Sequence, residues 1–326
     1  TIADFKVFGT LEEKFTTGAG TALKKSDEYV PRVDFGARLE PKDNYILHGA
    51  GQESTGWYAY QTQGFLNYQA AMEQNMKPVI QSEYWHMMAD DENGADFVKY
   101  LRKQYDYYYG WQLIPMIGVE YGGIEDEIIK GKYDKEINEF CGALEEHFNG
   151  KVFLRVGFEP DTYYGDTKKY VQGFRHIVDI VRSHKSLSNT AIIWSPADGN
   201  INMDYYPGDE YCDWWGLSPF TTDRFLQSLD RFCTEAEARK KPVFFCEMSS
   251  INMDTSAGKE TWDKWYGPFF KAIKTHRAVK GFAYINWNWK ETPWTGWGDC
   301  RIEVNDYIRN HWKEELKADI FLHGNT

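Results

Sequence analysis

Eight short apolar runs bounded by turn residues recur along the chain, at 45–51, 78–85, 113–121, 152–159, 191–197, 212–220, 242–247 and 281–289. Largely apolar runs of this length suit parallel strands buried on both faces. Between most of them the apolar period changes to 3.6 residues, as over 94–109, 134–148, 167–184 and 223–240, which predicts amphipathic helices. Eight such units in about 250 residues match an α/β (β/α)8 TIM barrel folded as a single domain, with its chemistry at the carboxyl ends of the strands. The barrel is assigned to residues 45–326, and residues 1–44 are expected to form an N-terminal extension packed on it.

Two of the runs, KVFLRVGFEPD (151–161) and KPVFFCEMSS (241–250), pass directly from apolar strand into glutamate, Glu159 and Glu247. A carboxyl at the end of a buried strand carries a desolvation cost that packing does not offset, so the pair predicts chemistry at one rim. Glu159 also reads as a helix start, because Pro160 and Asp161 follow it. Glu247 also reads as the partner of an arginine. Glu120 and Glu83 have similar placements.

Aromatic residues make up 17% of the chain, with 13 Trp and 22 Tyr. Many fall near the predicted strand ends: Tyr84, Trp85, Tyr121, Tyr163, Tyr164, Trp194, Trp287, Trp289, Trp294 and Trp297. Sugar rings stack their C–H faces on flat aromatic surfaces while their hydroxyls need polar partners. Trp85, His86, Glu120, Tyr121, Arg155, Tyr164, Trp194, Trp287, Trp289 and Trp294 are therefore expected to bind substrate. Arg155 shares the inward parity of Glu159 and is a candidate donor to a carboxylate. His48, Gln52, Asp198, Asn200, Asp209 and Glu210 are further candidates for holding hydroxyls.

The 37 Lys and Arg against 49 Asp and Glu leave a formal charge of −12, which argues against nucleic acid and favours a neutral ligand. HExxH, GxGxxG, Walker A and GxSxG strings are absent, so no metal or cofactor is implied. DDENGAD (90–96) looks like a calcium loop, but Arg102 stands twelfth from Asp91, where a bidentate glutamate belongs, so the string reads as a capped helix start. The five cysteines show no CxxC and read as buried thiols. No apolar run is long enough to span a membrane. A start at Thr1 rather than Met suggests processing and points to a secreted protein, expected to act as a monomer.

Glutamates ending the fourth and seventh strands resemble the large clan of retaining (β/α)8 glycoside hydrolases, the 4/7 superfamily or clan A, over essentially the whole chain. Within that clan, YYPGDEYCDWWGLSPF (205–220) is similar to the strand-six region of family 26 endo-β-mannanases and related enzymes. That family tends to have His before the acid/base glutamate, and many clan members Asn; this chain has Phe158. The resemblance implies Glu159 as general acid/base, Glu247 as nucleophile and Trp287 as the platform under the cleaved sugar. The expected function is a retaining endo-β-glycanase acting on a neutral β-linked polysaccharide, with β-mannan first. β-1,3-Xylan, β-glucan and a galactan-type polymer stay open, as does a barrel that binds glycans without cleaving them. An isomerase or aldolase barrel would need a phosphate loop or a strand lysine, and the lysine nearest a rim, Lys290, reads as solvent-facing.

Overall fold

A computed structural model describes residues 15–17, 29–51, 61–88, 93–108, 113–197 and 201–324. Eight strands form the barrel: β1 (Ile46–Gly51), β2 (Ile80–His86), β3 (Ile114–Glu120), β4 (Phe153–Val156), β5 (Ala191–Trp194), β6 (Trp214–Leu217), β7 (Val243–Met248) and β8 (Val279–Ile285). Each pairs in parallel with the next, and β8 returns to β1 through Leu47↔Gly281 to Gly51↔Ile285. Closure leaves the barrel with no open edge.

The helices around it are α1 (Gln61–Ala71), α2 (Gly94–Tyr108), α3 (Asp134–Phe148), α4 (Thr167–Ser183), α5 (Thr222–Ala238), α6 (Gly267–Thr275) and α7 (Asp306–Leu316). Their boundaries follow local chemistry. Asp166 caps α4 by accepting from the amides of Lys168 and Lys169, and Asn149 ends α3 in the left-handed region at φ 52°. Between β5 and β6 the described residues contain a 3-10 turn, Met203–Tyr205, and no α-helix. Gln52, Asp198, Asn200 and residues 90–92 of the calcium-like string lie outside the described residues.

Strand alternation sorts the side chains into two buried layers. Val119, Val156, Trp194, Trp215 and Phe245 face the helices, whereas Ile80, Met116, Phe153, Ile193, Trp214, Phe244 and Cys246 fill the barrel interior. Continuing up the inward positions, the chemistry turns polar: Ser82 follows Ile80, Arg155 follows Phe153, Ser195 follows Ile193, and Ser218 lies above Trp214 and Gly216, all buried. Gly216 must be glycine because a Cβ there would meet Cys246 Sγ at 2.5 Å. The apolar floor and polar storey above it place the site at the carboxyl mouth.

Residues 29–44 run over the opposite, amino-terminal face. Lys280, whose side chain is buried at the start of β8, donates to Asp34 Oδ1 and Asp43 O at 2.7 Å each, and Trp214 Nε1 donates to Arg38 O at 2.7 Å.

His48 faces outward between α1 and α7. Its Nε2 lies 2.6 Å from Tyr68 Oη and its Nδ1 2.8 Å from His323 Nδ1, so it holds core elements together and is not a hydroxyl-binding residue of the mouth. Burial lowers both histidines, His323 from 6.5 to about 4. The unfolded chain therefore binds protons that the folded one refuses, and stability is lost as pH falls from the unfolded value through the folded one. For His323 alone the loss is about 3 kcal/mol. The urea midpoint should drop between about pH 7 and about pH 4.5, and the drop should shrink in His323→Gln; a variant as acid-sensitive as the parent would contradict this.

Candidate active site

Strand β4 stops at Val156, three residues short of Glu159, so the glutamate is not the last strand residue as expected. Gly157 (φ 53°) and Glu159 (φ 49°) both take left-handed backbone and turn the chain sharply around Phe158. A Cβ on Gly157 would meet Tyr121 and Tyr170 at 2.7 Å, so only glycine fits. The Glu159 amide donates to Ser195 O at 2.8 Å, tying the turn to the end of β5. Pro160–Tyr163 then forms one helical turn for which Glu159 is the N-cap residue, yet its side chain makes no capping bond. The backbone of Glu159 thus starts a helix, as Pro160 and Asp161 suggested, while its carboxyl is not spent on the cap.

Glu247 reaches the mouth by a different device. Phe245 pairs with Phe282 but Met248 pairs with Tyr284, so β7 carries an extra residue, a β-bulge. Phe245 and Met248 both pack on the helices and Cys246 on the interior. The bulge turns Glu247 inward as well, where strict alternation would point it away. There its Oε1 accepts from Arg155 Nη1 at 2.5 Å. Arg155 is fully buried, with Nε 3.3 Å from Ser195 Oγ and its guanidinium over the Phe158 ring at 5.0 Å.

The two carboxyls sit in opposed settings. Glu159 is only 8% exposed, and its Oε1 has no hydrogen-bond partner among the described residues. Burial first, then the nearby charge of Glu247, push the Glu159 carboxyl up to about 8, against the opposing hydroxyl of Ser218 and charge of Arg155. Glu247 thus meets a buried cation, whereas burial and the neighbouring carboxylate favour the neutral form of Glu159.

At the rim, His86 Nδ1 is hydrogen-bonded to Glu120 Oε2, both side chains partly exposed. Tyr163 is 50% exposed, and its phenol is raised by burial and then by the charges of Glu159, Glu247 and Glu120, which places it over the acidic mouth. Beyond β8, Trp287, Trp289, Trp294 and Trp297 make one cluster with centroids 4.8–6.0 Å apart. Trp289 is its buried pillar, donating Nε1 to Ser249 Oγ at 3.1 Å, while Trp294 is 45% exposed. Trp289 is thus inside the cluster and not open to a sugar face.

Four other expected substrate contacts belong to the core. Trp85 stacks on Phe140 of α3 at 4.4 Å, and Trp194 packs on Tyr206 and Trp215 at 4.9 and 5.0 Å. Tyr121 donates its hydroxyl to Tyr170 O at 2.7 Å, and Tyr164 Oη accepts from the Tyr121 amide at 3.1 Å. All four belong to the core layer between strands and helices; for Trp85, Tyr121 and Trp194 the cause is strand parity, whereas Tyr164 follows the helical turn Pro160–Tyr163 and is turned inward onto Tyr121 and Tyr170. Tyr163, not Tyr164, is the rim tyrosine. Asp209 is paired with Arg239 at 3.3 Å, away from the mouth, and Lys290 is exposed and paired with Asp254. The residues overlooked from sequence are Ser195 and Ser218; Tyr84, noted at the end of its strand but not among the expected substrate contacts, shares the inward parity of Ser82.

A family model, Glycosyl hydrolase family 26, matches residues 157–252, a segment that holds both glutamates. The chain resembles family 26. A β-1,3-xylanase of a Vibrio species is 27% identical over 241 residues, covering 64% of this chain and 52% of the relative. A β-1,3-xylanase of an Alcaligenes species is 26% identical over 245 residues, covering 65% and 52%. The chain thus spans about half the length of the curated relatives it matches. Among solved structures, the catalytic domain of the family 26 endo-β-1,4-mannanase of Bacillus sp. JAMB-750 superimposes with a TM-score of 0.59 at 16% identity, covering 85% of this chain and 87% of that one. That likeness shows the (β/α)8 fold, and the family 26 match and the xylanase relatives are alike glycoside hydrolases.

Proposed function

We propose that this chain is a retaining endo-β-glycanase in which Glu247 is the nucleophile and Glu159 the general acid/base. The observation that carries the reading is the opposed pair in one mouth: Glu247 ion-paired with Arg155, and Glu159 buried with Oε1 unpartnered among the described residues and its carboxyl pushed up to about 8. In the first displacement a Glu247 oxygen bonds to the anomeric carbon, the glycosidic C–O bond breaks, and the Glu159 proton goes to the leaving oxygen. In the second, Glu159 as carboxylate takes a proton from water while that water's oxygen replaces Glu247 at the same carbon. Configuration is retained. Trp287 and Trp294, with Tyr163, His86 and Glu120 opposite, supply the aromatic faces and polar groups a sugar chain needs.

Among neutral polymers, β-1,3-xylan is the better-supported substrate, because the relatives at 26–27% identity are β-1,3-xylanases. The first expectation, β-mannan, is the second reading, resting on the 205–220 string. A polymer substrate fits a secreted protein. The decisive measurement is proton NMR of the first product formed from each polysaccharide of a broad panel. A β-anomeric signal appearing before mutarotation is expected. An α signal first would remove the nucleophile role, and binding with no reducing ends released would leave a glycan-binding barrel.

A further inference from the structure

Tyr84 projects from β2 into the mouth, is buried, and is not one of the two carboxylates or their arginine. Its hydroxyl lies 3.3 Å from Arg155 Nη1, the same nitrogen that donates to Glu247 Oε1 at 2.5 Å. Its ring is held edge-on to Phe158 at 5.2 Å, and Phe158 in turn covers the Arg155 guanidinium at 5.0 Å. Gly118 on the neighbouring strand makes room, since a Cβ there would meet the Tyr84 ring at 2.8 Å and Phe158 at 3.1 Å. Burial and the charge of Glu247 keep the phenol protonated, so it is a donor with the carboxylate as neighbour.

We propose that Tyr84 is a positioning residue for the nucleophile: its hydroxyl, braced by Phe158, completes the hydrogen-bonded setting of the Arg155–Glu247 pair from the β2 side. The inference rests on the role assigned to Glu247 and extends it. Between β4, which carries Arg155, and β7, which carries Glu247, the ion pair alone constrains one carboxylate oxygen. A third partner from β2 restricts rotation of that carboxylate, so attack starts from one orientation. It also places a donor where negative charge returns when the glycosyl-enzyme ester breaks.

Tyr84→Phe keeps the ring and its packing on Phe158 and removes only the hydroxyl. Its kcat on the best polysaccharide should fall roughly 10- to 100-fold, with KM within about twofold of the parent. The acidic limb of the kcat/KM profile should move to higher pH, and the thermal midpoint should stay within a few degrees. Tyr84→Leu, lacking the ring as well, should lose more. Unchanged kcat and pH profile in Tyr84→Phe, or a loss expressed in KM or in melting, would overturn the proposal. Glu247→Ala and Glu159→Ala run beside it separate the two ideas. If they turn over normally, the functional reading falls; if they are inactive while Tyr84→Phe is normal, only the role of Tyr84 does.

Discussion

Glu247→Ala should lower kcat by at least about 10⁴-fold, because the proposed double displacement forms its covalent intermediate on this carboxylate. Binding of the polymer, measured by isothermal titration or affinity electrophoresis, should survive, since the aromatic rim and the His86–Glu120 pair are untouched. The variant also leaves Arg155 buried beside a lost partner. An unpaired buried charge destabilises by about 3–5 kcal/mol, so melting should be recorded in parallel. Glu247→Gln, which keeps an acceptor for the guanidinium, should recover most of the stability and none of the turnover. A variant that hydrolyses at the parental rate would remove Glu247 from the chemistry.

Glu159→Ala should have the second largest effect, with its signature in pH and leaving group. The carboxyl must carry its proton for the first step, so parental activity should decline as pH rises through about 8. Removing it should flatten that basic limb and slow polymer cleavage by about 10²–10⁴-fold. Aryl glycosides with acidic phenols need little protonic help and should still acylate Glu247. The intermediate should then accumulate, with azide restoring turnover as a β-glycosyl azide. A basic limb that persists in Glu159→Ala would assign the titration to another group.

The barrel could be read from periodicity because its strands are buried on both faces and its helices on one, which leaves a clear pattern in the chain. The glutamates were legible for the same reason: an acid after a largely apolar strand carries a desolvation cost. Arg155 was expected from its parity with Glu159; it does face inward, but because it follows Phe153 on the strand, Glu159 itself lying beyond the strand end. Counting failed where the backbone departs from regular strand. Glu247 sits in a bulge, and Glu159 lies beyond β4 between two left-handed residues, so alternation alone predicts neither direction. Among the aromatics, closeness to a strand end in sequence does not decide direction. Trp85, Tyr121, Tyr164 and Trp194 are near strand ends in sequence but face the helices, whereas Tyr84 and Tyr163 reach the acids.

By itself, then, the order of residues determined the repeating architecture and marked the two acids at strand ends, because burial on one or two faces imposes a period that a single chain must obey. Only the folded molecule decided that both acids turn into one mouth, that Arg155 meets Glu247 there, and which rings line it. Those properties depend on distances between strands remote in sequence and on a bulge and a turn that redirect side chains locally. Electrostatic and packing energies act through space, where the order of residues along the chain carries no record.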